Sequence, residues 1–126
     1  MAVDHRIAEG IHLFNSRKFF EAHEALEAVW LNAAGDEKIF LHGLIQVAAA
    51  FHHHERGNTP GFRSLLEKGM KKLEEFGETR NGIDLARLRS QLQPWRALLD
   101  RALDSSPTAS PPLPHIEPAP SRGNRP

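Results

Sequence analysis

The stretch Asp36–Arg56, DEKIFLHGLIQVAAAFHHHER, decides the fold. Ile39, Phe40, Leu41, Leu44, Ile45, Val47, Ala48 and Phe51 leave almost no side of a helix without an apolar residue. A helix that is apolar nearly all round belongs at the centre of a helical protein. Its longest apolar run, Gly43–Phe51, is interrupted by Gln46 and is far too short to span a bilayer. Ala33-Ala34-Gly35 before it reads as a turn, with Asp36 as the capping residue. Gly57-Asn58 after it is a stop.

Working outward, the same signals recur. A first helix carries Ile7, Ile11 and Phe14 at helical spacing behind Asp4 as N-cap, and Asn15-Ser16 ends it. A second helix is expected from about Lys18 to Asn32. Thr59-Pro60 opens a fourth as N-cap and first-turn proline, through Leu65, Leu66, Gly69, Met70, Leu73 and Phe76. Asn81-Gly82 breaks the chain, and Asp84 caps a fifth helix with Leu85, Leu88, Leu92, Trp95 and Leu99 on one stripe. Pro94 inside it predicts a kink. No segment alternates with period two over a useful length. The expectation is an all-α single domain over residues 1–103: a bundle of about five antiparallel helices, built as two helical hairpins plus a C-terminal helix. Trp30 and Trp95 each close an apolar stripe and are expected in the core.

Seven of the nine prolines lie at or beyond Pro107, so residues 104–126 read as a Pro-rich disordered tail. Within it, Pro111-Pro112-Leu113-Pro114 has the composition of a ligand for an aromatic-lined groove.

The chain has 126 residues, with 16 basic and 16 acidic side chains and a formal net charge of zero. That balance argues against a nucleic-acid or anionic-membrane binder. Cysteine is absent, which excludes disulfides, thiolate metal sites and cysteine nucleophiles. The N-terminus, MAVDHRIAEG, lacks a signal-peptide core, so a cytoplasmic protein is expected. Charge is uneven along the chain: residues 1–58 carry five basic and eight acidic side chains, residues 59–103 nine and six. Glu67, Glu74 and Glu75 interrupt the basic half, so it reads as one side of a self-complementary bundle.

The chemistry-bearing residues gather on the second and third helices. On FFEAHEALEAVW, His23 lies in the apolar stripe of Phe19, Ala22, Leu26 and Trp30, with Glu27 beside it and Glu24 toward the other flank. On the third helix, His42, Gln46, Ala49 and His53 form the single polar stripe. A hairpin folded about residues 33–35 would set His23 opposite Gln46 and Glu27 near His42, with His53 a turn lower. His23, Glu27, Gln46 and His53 are therefore the candidate metal ligands, and Glu24 the candidate ligand or general base. Histidine with carboxylate suits zinc, manganese or nickel. His23-Glu24-x-x-Glu27 departs from the zincin helix, which needs histidine at the last position. A di-iron bundle would need two E-x-x-H motifs, and only Glu9-Gly-Ile-His12 fits.

Phe14-Asn15-x-x-x-Phe19-Phe20-Glu21-Ala22-His23-Glu24-x-Leu26-Glu27-x-x-Trp30 resembles the signature of the bacterial and archaeal domain-of-unknown-function family 309. Gly43-Leu44-Ile45-Gln46-Val47-Ala48-Ala49-Ala50 with His53 and Arg56-Gly57-Asn58 is similar to it as well. The likeness runs over roughly residues 5–100. It implies a small all-α protein, of a kind sometimes labelled a predicted metal-dependent hydrolase, with the polar motif on His23, Glu24, Glu27, Gln46 and His53. Two functions follow from these residues. One is a non-enzymatic interaction module, binding a second copy or another protein, in which the polar line is an internal network that sets helix register. The other is a divalent-metal protein, hydrolytic if the metal activates a water.

Overall fold

The computed structural model describes residues 2–101 and 110–120. The helices are α1 (Ala8–Asn15), α2 (Phe19–Trp30), α3 (Gly35–Glu55), α4 (Thr59–Leu73) and α5 (Leu85–Arg101). Between α4 and α5, β1 (Thr79–Arg80) and β2 (Ile83–Asp84) form a two-residue antiparallel ladder. The protein is all-α apart from that hairpin. Its turn is Asn81-Gly82, both at positive φ (52° and 80°), the conformation a tight two-residue hairpin demands. Any Cβ on Gly82 would also collide with the Ala2 carbonyl.

The long apolar helix α3 is central, packing most extensively on α4 and then on α2, while α1 packs on α2. Two glycines let α3 and α4 approach closely. A Cβ on Gly69 would lie 3.0 Å from the Gly43 carbonyl oxygen, and one on Gly43 only 2.9 Å from Leu73 Cδ2. An aromatic chain ties the helices together: Phe14 to Phe19 (5.1 Å between centroids), Phe19 to Phe51 (5.6 Å), Phe51 to Trp95 (5.3 Å) and Phe51 to Phe62 (5.2 Å). Offset and edge-on aromatic pairs of this kind stabilise by about 0.5–1.5 kcal/mol beyond area burial.

The helix ends follow local chemistry with small shifts. Asp84 caps α5, accepting from the Arg87 amide at 3.0 Å. Asn58, rather than Thr59, caps α4 through the Gly61 amide at 3.1 Å. Asp36 sits inside the first turn of α3, whose N-cap is Ala34. Asp4 accepts from the Arg6 amide in a turn that precedes α1. Trp95 is 1% exposed, as expected, whereas Trp30 is only partly buried.

The expectation of a disordered tail over 104–126 does not hold for residues 110–120, which pack on the bundle; the boundary expected at 103–104 lies outside the described residues. Ile116 is 2% exposed and joins the core, with Leu113 partly buried beside it. The segment runs antiparallel to α5 and bridges β2 through Ile83 and Pro118. Proline composition predicted a solvated tail, but one isoleucine anchor and side-chain partners between 17 and 101 residues upstream outweigh it.

Candidate functional site

The α2–α3 hairpin closes on a register different from the one expected. Trp30 faces His42, with 5.7 Å between ring centroids, and Phe20 faces His52 at 5.1 Å. By the same register His23 lies level with Ala49 and Gln46 lies level with Leu26, so His23 and Gln46 stand about one turn apart. In the same hairpin Phe19 packs on Phe51 in the core.

Each candidate is therefore engaged separately. His23 is half-buried, and its Nδ1–H donates to the Phe20 carbonyl one turn back on its own helix at 3.1 Å. A carbonyl only accepts, so Nδ1 carries a proton. At His53 the same nitrogen accepts. Asn58 Oδ1 accepts from the Gly61 amide, which leaves the Asn58 amide group to donate to His53 Nδ1 at 3.0 Å. Glu24 and Glu27 are exposed. Gln46 is 8% exposed, and its buried Oε1 has no hydrogen-bond partner among the described residues; neither has the buried Trp30 Nε1. His42, packed on Trp30, is held below its ordinary pKa by burial and then by the nearby charge of Lys72. Among the described residues no three His, Asp or Glu side chains gather closely enough to hold one metal ion. The predicted polar line exists as a row of residues but not as one connected network.

Two other constellations were not read from the sequence. In the first, Arg6 Nη2 bridges Asp4 Oδ2 (2.7 Å) and Glu37 Oε2 (2.8 Å), tying the N-terminal turn to α3, while Asn81 Nδ2 also donates to Asp4 at 2.9 Å. The Arg6 hydrogen bonds hold both carboxyls below the usual carboxylate range. The second is the cradle for residues 110–120. Asn15 Nδ2 donates to the Ile116 carbonyl (2.9 Å) and Asn15 Oδ1 accepts from the Ile116 amide (2.8 Å). Gln91 treats His115 in the same way, at 2.9 Å both ways. Arg17 Nη1 donates to the Pro114 carbonyl at 2.9 Å, and Trp95 Nε1 to the Pro112 carbonyl at 3.1 Å. Asn15 carried a signal in the sequence only as a helix stop. For Pro111-Pro112-Leu113-Pro114 the sequence favours a solvated tail over docking in an aromatic-lined groove; in the structure Trp95 of the same chain holds the Pro112 carbonyl.

Residues 7–65, from the start of α1 into α4, match the family model described as a domain of unknown function, DUF309. An uncharacterized protein of Aquifex aeolicus (strain VF5) is 28% identical over 88 residues, covering 69% of this chain and 26% of its own length. The uncharacterized protein YpuF of Bacillus subtilis (strain 168) is 35% identical over 81 residues, covering 62% of this chain and 47% of its own. The chain thus spans about a quarter to about half of the relatives it matches. None of the described helices is long and apolar enough to cross a membrane. The resemblance to domain-of-unknown-function family 309 is thereby shown, across the α1–α3 core and into α4.

Proposed function

We propose that this chain is a non-enzymatic protein-interaction module, with α2 and α3 as its scaffold. The observation that carries this reading is the cradle of Asn15, Arg17, Gln91 and Trp95, which binds an extended segment chiefly by its backbone. Side chains that read peptide groups in this way are the chemistry of protein recognition. The candidate donors on α2 and α3 support the same reading, since His23 and His53 are each engaged by a local partner. The proposal includes a cytoplasmic setting, in keeping with a cysteine-free composition. Thermal melts in chelator and in zinc, manganese or nickel test it: an interaction module melts at one temperature in all four. A ligand that binds only the folded state would stabilise by about 2.7 kcal/mol at a hundredfold excess over Kd, a shift such melts resolve.

One observation favours the second reading, a divalent-metal protein with hydrolytic potential. The Nδ1–H of His23 donates to a backbone carbonyl, the arrangement that fixes ligand histidines with Nε2 free for a metal. Among the described residues Glu24, Glu27, Gln46 and His53 form no ready-made cluster with it, so a metal would have to draw them together, and a metal-dependent rise in melting temperature would establish this reading.

A further inference from the structure

Residues 110–120 are held as a ligand is held. Asn15 and Gln91 each pair both polar atoms of an amide side chain with the N–H and C=O of one residue, Ile116 and His115. Such pairing imitates a strand neighbour and is blind to side-chain identity. Further along, the Asp84 amide donates to the Glu117 carbonyl and the Ala119 amide to the Gly82 carbonyl, both at 2.8 Å, so the segment joins the edge of the hairpin through an antiparallel bridge. Selectivity lies elsewhere. Ile116 fills an apolar pocket and is 2% exposed, and Pro114 is buried beside it. Pro111, Pro112, Pro114 and Pro118 bring no amide donors that need partners, and they restrict the free segment toward the extended form in which it binds.

We propose that the groove between α1 and α5 is a peptide-binding site for an extended, Pro-rich segment anchored by isoleucine. Residues 110–120 are its resident ligand, and a second copy of the chain can deliver the same segment in trans. The inference rests on reading the chain as an interaction module and names the site and the partner. All of the recognition lies between residues 15–95 and residues 110–120, so nothing in it requires both to come from one chain. Covalent attachment raises the effective concentration of the resident segment above that of the same segment on another copy. Occupancy in cis therefore dominates at low protein concentration, and exchange between copies sets in at high concentration.

The test uses the whole chain with a protease-recognition sequence substituted at residues 105–109, cut after folding so that every flanking residue is retained. The probe is a fluorescein-labelled synthetic peptide of residues 110–120. The expected result is a cleaved protein with unchanged helical circular dichroism that exchanges its own segment for the probe, saturably. A probe carrying Ile116→Asp should bind at least tenfold more weakly, and Gln91→Ala in the cleaved protein should weaken the unaltered probe to a similar degree. Absence of saturable binding at several hundred micromolar would overturn the proposal. So would unfolding on cleavage, which would make the segment an inseparable part of the core. Melts of the same samples with added metal separate the two readings. Peptide exchange together with a metal shift would refute the non-enzymatic reading and leave the groove standing; neither exchange nor shift would refute a groove open to peptides in trans and leave standing the module reading, which the segment docked in cis carries.

Discussion

Gln91 grips His115 by both ends of its amide, donating to the carbonyl and accepting from the N–H at 2.9 Å each. Asn15 repeats the grip on Ile116 across 101 residues of sequence. These two contacts turn a proline-rich tail into part of the folded domain, because they satisfy backbone groups that would otherwise leave water without partners.

Ile116→Ala should destabilise the protein by about 2–5 kcal/mol, the range for emptying a buried aliphatic site. Denaturant unfolding of the full-length chain measures it. A loss below about 0.5 kcal/mol would place Ile116 in solvent.

Five helices and most of their ends were legible, since periodicity, Asp84 and Gly57-Asn58 act over a few residues. The docked segment was not. A composition window over residues 104–126 sees seven prolines and cannot see Gln91 or Asn15, which lie outside it. The hairpin level was missed for a related reason. Turn residues 33–35 suggested one register, but Trp30 packs on His42 and Phe20 on His52, which sets His23 about one turn from Gln46.

Gln46→Leu should be neutral or stabilising, within about 1 kcal/mol either way. Its buried Oε1 has no partner among the described residues, so the substitution removes a desolvated acceptor and breaks no bond to it. Were Gln46 the centre of a satisfied network, the same change would cost about 1–3 kcal/mol. Comparing denaturant midpoints of the two proteins decides between them.

His23→Ala should cost no more than about 1 kcal/mol, because the hydrogen bond it loses goes to a carbonyl of its own helix on a half-buried face. The cost should be the same in chelator and in zinc, manganese or nickel. A penalty that appears only with metal present would transfer the site to the metal reading.

Stability should fall on acidification in two separate steps. Burial and Lys72 lower the folded pKa of His42 beneath 6.5, so just below pH 6.5 the unfolded chain binds more protons and stability rises with pH. His42→Phe should flatten that step. Arg6 lowers the folded pKa of Asp4 and Glu37, so their contribution is present above about pH 4 and is lost as pH falls through the lower folded values. Arg6→Met should shrink this second step, which the residue-6 amide and Asn81 still support at Asp4, while leaving the first, as read by urea midpoints between pH 3 and pH 8.

Amide hydrogen exchange at His115 and Ile116 tests the docked segment most directly, since their N–H groups donate to Gln91 Oε1 and Asn15 Oδ1. In the full-length protein both amides should exchange at least a hundredfold more slowly than in a free peptide of residues 110–120. Gln91→Ala should erase most of the protection at His115. Exchange of both amides at the free-peptide rate in the intact protein would mean that the groove is empty in solution, and the account of this chain as a peptide-holding module would fall with it.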